Sequence, residues 1–486
     1  MTKLMLPAVL FLALAPARAQ EPESGPAEPA VEELSRLLLQ QKEIIEAQAE
    51  ELEALRQRLF EVEALALLSH NRLAELEQRP LEDTVAGAVE QRLAELEQQV
   101  QKIPETPADV VEAGEFPGSF RIPGTDAAMK VGGQVRLSVV KTLGPLGVDD
   151  RFITSLIPIE GSQEAGKGSR LTFNARPSRL NFDFRTPTGV GSVRAFLEAD
   201  FAGGDSNSFR LRHAYGQWGS FLGGQTWSTF SDPEAEPDGI DFEGLNAISL
   251  FRQPQIRWTK SLPRNASLAI AAENPSPDVT GATGVNQSPD FIARVRFAPG
   301  EDRRALPFLR RDGHLQAAVI GRQIRAEPEG RPNETISTAG IGANVSGQVF
   351  TKWREARDNF TFAVNGGIGI GRYITDLGTL GGQDAVYDPE TNSLEPLSVF
   401  ASYVGFQHWW KEGLRSTWTY GFVNVRNLEI QTPNSLHRTH RVTSNLVWSP
   451  ILRIDLVLEY LAGTRKNKDG ESGFSNQLQV GGTFRF

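Results

Sequence analysis

The sequence contains no cysteine among its 486 residues. Disulfides, cysteine-ligated zinc, iron–sulfur clusters, a thiol nucleophile and a lipidated N-terminal cysteine are therefore excluded. Hydrophobic residues make up 40% of the chain, but no run of about 20 apolar residues occurs, which excludes helical membrane spans. The 46 glycines show no Gly-X-Y period, so a collagen is excluded as well. A soluble protein and a membrane β-barrel remain.

Motifs of known catalytic chemistry are also missing. The sequence has no Gly-x-Ser-x-Gly and no His-Glu-x-x-His string. Residues 161–167 imitate a phosphate-binding loop, but Gly168 stands where a Ser or Thr must bind Mg²⁺. His437 and His440 have no third ligand nearby in the sequence, so they do not predict a metal site. We therefore expect no enzyme, no cofactor and no bound metal.

The N-terminus, residues 1–19, resembles a secretory signal peptide. Lys3 supplies positive charge, residues 4–15 form a short apolar run, and residues 17–19 read Ala-Arg-Ala, the small-x-small pattern that a signal peptidase cleaves. We expect an exported protein. The alternative is a short buried helix in a protein that stays in the cytoplasm.

Residues 20–115 predict a coiled coil. Apolar residues recur at alternating spacings of three and four from Val31 to Leu76, and a second run extends from Val89 to Ile103. Such a narrow apolar stripe cannot form a core alone, so we expect a homo-oligomer whose number the heptads leave open. The segment holds 23 acidic and 8 basic residues, so a single solvated helix is the alternative.

Residues 116–486 have a period of two instead. Residues 452–460, for example, alternate apolar with mostly charged side chains. In a soluble sandwich the apolar face points inward, whereas in a membrane barrel it points outward, and periodicity alone does not separate these cases.

Loop lengths favour the barrel. We predict about sixteen antiparallel strands between residues 129 and 486, in which long loops alternate with tight turns. Short turns at one end and long loops at the other are typical of bacterial outer-membrane barrels, which keep both termini in the periplasm. The segment 299–313 is too long for its predicted short turn. The predicted long loops are 141–168, 229–253, 373–397 and 462–474, and the predicted turns include 219–220, 355–358, 411–412 and 449–450.

Arginines occupy strand positions opposite the apolar face. In a membrane barrel this parity faces the lumen, so these side chains form a predicted basic wall. The alternative is that they only pair with Asp183, Glu198 and Asp200 on the same face. The predicted pore-lining arginines are Arg179, Arg185, Arg194, Arg210, Arg212, Arg257, Arg294 and Arg296.

The loop 229–253 is rich in carboxylates. Placed outside, it is a solvated acidic loop; folded inward, it narrows the lumen and sets its carboxylates against the basic wall, which gives a transverse field. The sequence leaves both placements open. The six carboxylates of this predicted constriction are Asp232, Glu234, Glu236, Asp238, Asp241 and Glu243.

Residues 121–257 contain a series of short motifs that resemble those of a known protein family. The motifs are Ile122-Pro123-Gly124-Thr125, Gly132-Gly133, Arg151-Phe152, Ala175-Arg176-Pro177-Ser178-Arg179, Leu211-Arg212-His213-Ala214-Tyr215-Gly216, Gly224-Gln225-Thr226-Trp227-Ser228-Thr229-Phe230 and Arg252-Gln253-Pro254-Gln255-Ile256-Arg257, and the terminal Phe486 resembles the signature of barrel assembly. In these motifs the chain resembles the DcaP-like family of trimeric outer-membrane porins. The resemblance implies a periplasmic coiled coil, a sixteen-stranded barrel in outer-membrane lipid, a trimer and uptake of anionic solutes such as dicarboxylates. It also supports inward folding of the loop 229–253.

The expected function is therefore passive diffusion of small, preferentially anionic solutes through a basic lumen. One alternative is an envelope tether, in which the barrel is only an anchor and the coiled coil binds peptidoglycan or another periplasmic partner. A secreted β-sandwich or carbohydrate-binding protein is the other. No nucleic acid partner is expected.

Overall fold

The structure is a computed structural model. It describes residues 112–486 except for 190, 205–206, 299–312, 332–333 and 352–356, and within the N-terminal unit, Met1–Pro107, it describes only the helical residue Arg92. The predicted signal peptide and nearly all of the predicted coiled coil lie outside the described residues. They stay predictions, as does the envelope tether that depends on the coil.

The described chain forms a closed antiparallel barrel of sixteen strands, as predicted. Each strand pairs with its neighbours in sequence, and the first pairs with the last, for example through Val139 and Val480. The second strand has two segments because residues 175–178 interrupt it. The strands are β1 (Ala128–Thr142), β2 (Arg170–Asn174 and Arg179–Thr188), β3 (Gly191–Gly203), β4 (Ser208–Trp218), β5 (Phe221–Trp227), β6 (Arg252–Leu262), β7 (Ala266–Glu273), β8 (Asp290–Phe297), β9 (His314–Pro328), β10 (Ile336–Phe350), β11 (Asn359–Ile368), β12 (Ser398–Lys411), β13 (Leu414–Arg426), β14 (Leu436–Ile451), β15 (Ile454–Asn467) and β16 (Ser472–Arg485).

Smaller elements lie outside the barrel wall. Phe120–Arg121 pairs with the start of β1, and Ala282–Gly284 pairs with the end of β9. Val279–Thr280, Ala385–Asp388 and Ser393–Pro396 form a separate three-stranded sheet. The helix α1 (Thr375–Leu380) lies in the loop before β12. None of the described helices is long and apolar enough to pass through a bilayer.

The apolar face of the barrel points outward. In β15, Leu456, Leu458 and Tyr460 are exposed, whereas Asp455 and Glu459 on the opposite face are buried. A soluble sandwich would bury the first set and expose the second. The inverted pattern is that of a barrel whose outer wall meets hydrocarbon.

The two ends of the barrel differ as expected, with corrections to the positions of individual turns. Short turns such as 219–220 and 412–413 lie at the end where the chain enters β1 and leaves β16. The predicted loop 462–474 is wrong: β15 continues to Asn467 and only residues 468–471 turn. The end of this strand is polar because it faces an inward loop, where Arg465 donates a hydrogen bond to the carbonyl of Ser155 (2.7 Å). A polar segment of this kind resembles a loop in the sequence. The predicted turn 449–450 likewise moves to residues 452–453.

Three long loops fold into the barrel. Residues 143–169, 228–251 and 369–397 carry many buried side chains. The second and third of these loops form the main apolar core with the inner wall, and the first packs in a smaller cluster with Leu461 of β15. Burial of one such large side chain stabilises the fold by about 1.5–3 kcal/mol. The core therefore occupies part of the lumen instead of separating two sheets. Its large loop side chains include Phe230, Ile248, Tyr373, Ile374 and Leu377.

A buried ionic cluster fixes the third of these loops. Arg322 of β9 contacts Asp290 of β8 (3.2 Å) and Asp384 of the loop (2.9 Å), and all three side chains are inaccessible to solvent. Arg322 also donates hydrogen bonds to the carbonyls of Gly369 and Pro275. One guanidinium thus joins the wall to two loops.

We predict that Arg322→Met destabilises the barrel strongly. The substitution leaves two buried carboxylates without their shared cation, and breaking a buried ion pair costs about 3–5 kcal/mol. The temperature at which the folded barrel loses its compact migration on a denaturing gel measures the effect. Arg331→Met is the matched control, because Arg331 pairs with Glu334 at the exposed surface (3.5 Å). Equal unfolding temperatures for the two variants would contradict the prediction.

Candidate functional site

The loop between β5 and β6, residues 228–251, crosses the lumen and lies against the far wall. We call it the constriction loop. The Tyr403 hydroxyl of β12 donates a hydrogen bond to the carbonyl of Ala235 (2.9 Å), and Glu459 of β15 accepts one from the backbone N–H of Ile240 (3.1 Å). Asn246 of the loop contacts Thr439 of β14 (3.0 Å). These contacts leave the side of the lumen formed by the first strands open.

The first carboxylates of the constriction loop are bound by strands β8 to β10. Asp232 contacts His314 (2.8 Å) and Arg296 (3.2 Å), and it accepts a hydrogen bond from Ser346 (2.7 Å). Burial raises the pKa of Asp232, but the hydrogen bonds from His314 and Ser346 hold it below its usual value. Glu234 also pairs with Arg296. Of the predicted basic wall, Arg296 therefore serves to hold the loop.

Two further carboxylates correct the expectation that all six face the predicted basic wall. Asp238 pairs with Arg415 of β13 (2.6 Å), and Asp241 pairs with Arg441 of β14 (2.8 Å). Neither arginine belongs to the predicted set. Because the loop reaches the far wall, these carboxylates are neutralised there, and only Glu236 and Glu243 line the open side.

Four arginines of the predicted wall are paired on their own face. Asp183 binds Arg185 (2.9 Å) and Arg194 (2.8 Å). Arg210 and Arg212 share Asp200, at 2.6 Å and 2.8 Å, and Arg212 also binds Glu198 (2.8 Å). These four arginines therefore pair with carboxylates on their own face, which is the alternative that the sequence left open. Together with their partners they carry little net charge.

The other three arginines of the predicted wall are not neutralised in this way. Arg179, Arg257 and Arg294 form no ion pair with any residue that the structure describes, and their Nε atoms have no hydrogen-bond partner there. Arg179 lies beside Arg212 and close to Glu236 of the constriction loop. The basic character of the lumen thus depends on few residues.

A cavity of about 360 Å³ separates the constriction loop from this wall. Its lining contains six arginines but only two carboxylates, and four aromatic rings complete it. The charged and aromatic lining residues are Arg151, Arg179, Arg210, Arg212, Arg252, Arg372, Glu236, Glu243, Trp227, Phe242, Phe251 and Tyr373.

Aromatic rings hold several of the guanidiniums in place. Arg252 lies over Trp227 (4.6 Å to the ring centroid), and Phe242 of the constriction loop lies between Arg151 and Arg210 (5.2 and 5.1 Å). A guanidinium stacked on a ring keeps its charge and leaves its edge free to donate hydrogen bonds. The cavity is therefore suited to anions that accept several hydrogen bonds.

Three of the six cavity arginines were not predicted from the strand pattern. Arg252 is the first residue of β6 and has the parity of the outer face, and Arg151 and Arg372 belong to inward loops, where no periodicity applies. Arg372 is held by Gln253 (2.9 Å). The one available signal for Arg151 and Arg252 was their place in the motifs that resemble a porin family.

Glu236 is the carboxylate of the constriction loop that faces this cavity without an ion pair among the described residues. It is open to the water of the lumen but enclosed by protein on several sides, and this enclosure raises its pKa to about 7, against the lowering effect of Arg179 and Arg212. Glu243 is also raised in pKa by burial, although Thr379 and Arg151 oppose the shift. Near neutral pH Glu236 is thus only partly ionised.

The chain is similar to known proteins in both sequence and structure. A family model described as DcaP outer membrane protein matches residues 125–486. The crystal structure of the outer membrane channel DcaP of Acinetobacter baumannii is 24% identical and covers 77% of this chain and 100% of its own, with a TM-score of 0.65. An anion-selective porin from Comamonas acidovorans is 11% identical over 74% of this chain and 100% of its own, with a TM-score of 0.49. A search of curated protein sequences gives no match.

The family match covers nearly the whole barrel and the loops that narrow it. The Acinetobacter channel has the same fold over its full length. An outer wall of apolar side chains and a water-accessible lumen agree with both findings. The chain therefore belongs to the DcaP family of outer membrane proteins, as its resemblance to these porins indicated.

Proposed function

We propose that the protein is a porin that gives small anions passive passage across the outer membrane. The observation that carries this proposal is the charge of the cavity lining, which has six arginines and two carboxylates. Anions are attracted into this cavity by its potential, whereas cations are repelled. The solute's own gradient drives the flow.

Unpaired guanidiniums give the lumen its proposed selectivity. Arg210 and Arg212 are largely compensated by Asp200 and Glu198, so their field falls off quickly. Arg179 has no such partner among the described residues, and low-dielectric walls focus its field into the water beside it. Arg179 is therefore the first residue to test.

Dicarboxylate-like solutes fit the arrangement of these cations. Guanidiniums occur on both sides of the cavity, with Arg151 and Arg372 on inward loops and Arg179 on the strand wall. The two loop arginines also form ion pairs, Arg151 with Asp150 and Glu243 and Arg372 with Asp290, so the solute would share them with these carboxylates. A carboxylate accepts two parallel hydrogen bonds from one guanidinium, so a solute with two carboxylates can engage two sides at once. A monovalent anion of similar size engages only one.

The proposed assembly is a homotrimer in outer-membrane lipid. Its support is the resemblance to trimeric porins, together with heptads in residues 20–115 that call for partner helices. Peptidoglycan, bound through these heptads, is a further proposed partner.

We predict that the wild-type channel prefers chloride to potassium and that Arg179→Gln weakens this preference about two- to fourfold. A unit charge about 10 Å from an ion in water is worth about 0.4 kcal/mol, a factor of about two for the anion and, with opposite sign, for the cation. The reversal potential of channels in a planar bilayer under a KCl gradient measures the permeability ratio.

Lys260→Gln is the matched control, because it removes one positive charge from an exposed position near the short-turn end of β6. It should leave the reversal potential unchanged. Cation preference in the wild type would contradict the proposed function. Equal effects of the two substitutions would remove Arg179 from the selective site.

We also predict that the anion preference falls as pH rises through about 7. Glu236 is neutral below its pKa of about 7 and negative above it, so ionisation subtracts one charge from the basic cavity. Arg136, Arg179, Arg212 and Asp238 are the charged groups that act on it.

Reversal potentials recorded between pH 6 and pH 8 check this prediction. In the variant Glu236→Gln, the anion preference at pH 8 should equal that at pH 6, because the glutamine stays neutral. Glu234→Gln is the control and should behave as the wild type does, because Glu234 is exposed and paired with Arg296 away from the cavity. A pH response that survives in Glu236→Gln would assign the titration to another group.

A further inference from the structure

A groove lies on the outer face of the barrel across β7 to β11, remote from the lumen. It has a volume of about 530 Å³ and is almost entirely apolar. Phe291 and Ile341 stand at its sides, 59% and 63% exposed. We call it the outer groove. Its outward-facing residues are Ile270, Phe291, Ala293, Val319, Gly321, Ile341, Ala343 and Gly366.

The groove has a structural cause in the strand register. Gly321 of β9 pairs with Phe291 on one side and with Ile341 on the other, so an empty position lies between two large side chains. A Cβ atom built on Gly321 meets nothing within 4 Å. In the next row Val319 lies between Ala293 and Ala343, which extends the hollow along the strands.

Polar donors lie on the same outer face, toward the long-loop end. Arg325 is four residues beyond Gly321 on β9, about 13 Å along the strand. Its Nη2 donates to the Gln323 side-chain oxygen (2.9 Å), and its Nη1 donates to that of Gln287. Ser288 donates to the same Gln323 oxygen (3.0 Å). Both amide oxygens are thus occupied, which leaves the two amide nitrogens as further donors beside the guanidinium.

These two features have the spacing of one lipid molecule. A donor cluster of one cation and two amides suits a phosphate, and the apolar groove begins below it, where an acyl chain would start. The long-loop end of an outer-membrane barrel is the external one, so this phosphate belongs to the outer leaflet. Glu327, the next outward residue of β9, lies on the far side of Arg325 from the groove.

We propose that the outer groove binds an acyl chain of a phosphorylated outer-leaflet lipid of the lipid A class, with a phosphate held at Arg325. Hydrocarbon gains little from leaving other hydrocarbon, so the selectivity comes from close packing in the hollow and from the headgroup contact. The site uses no residue of the lumen. It rests on the outer-membrane location and not on the proposed anion selectivity.

Mass spectrometry of the full chain, purified in detergent and titrated with lipid A, tests the packing part. Gly321→Leu fills the hollow without meeting the backbone, and we expect it to reduce bound lipid A several-fold. Gly223→Leu is the matched control, because Gly223 is exposed on β5 and also has nothing within 4 Å of an added Cβ. It should bind lipid A as the wild type does.

The headgroup part is tested with Arg325→Gln. This variant should lose several-fold in binding of lipid A but bind dephosphorylated lipid A as the wild type does. Compact migration on a denaturing gel and unchanged conductance show that each variant is folded. Wild-type binding by both Gly321→Leu and Arg325→Gln would overturn the proposal. So would a change in oligomer mass in Gly321→Leu with lipid binding intact, because the groove would then be a contact between copies of the chain.

Discussion

The interaction on which the lumen depends is the attachment of the constriction loop to the far wall by its own carboxylates. Asp232, Asp238 and Asp241 are bound to side chains of β8, β9, β13 and β14, so the loop is held away from β2 to β4. The same pairings remove those negative charges from the open passage. The same three carboxylates therefore determine both the shape and the charge of the cavity. They fix the loop at the far wall, and for that reason they do not neutralise the charge of Arg179.

A second constraint acts on the barrel as a whole. Because hydrocarbon surrounds the outer wall, apolar side chains there give no inner core, and stability must come from the strand ladder and from what fills the lumen. The three inward loops supply that filling, with a core around Phe230 and Tyr373 and an ionic cluster around Arg322. The cavity that remains is the space that this packing leaves free.

The alternation of side chains predicted the strands, because this alternation is a local property of the sequence. The alternation of long loops with tight turns was needed as well, because it favoured a membrane barrel over a soluble sandwich and so gave the direction of the two faces. Together they placed Arg179 and Arg210 correctly on the inner face. They could not show that Asp238 meets Arg415, 177 residues away, since only the closed fold brings them together. The cavity position of Arg252 and the length of β15 also depend on contacts with inward loops. Next to these loops, the polarity and alternation of strand residues no longer follow the pattern of the rest of the barrel.

The most direct test of this account uses the absence of cysteine from the chain. Arg179→Cys and Leu180→Cys each introduce a single thiol, on adjacent residues of opposite parity in β2. An anionic methanethiosulfonate added to channels in a bilayer should modify position 179 and reduce the anion current, and it should leave position 180 unmodified because that side chain faces hydrocarbon. Modification at 180 with protection at 179 would contradict both the orientation of the barrel wall and the basic passage derived from it.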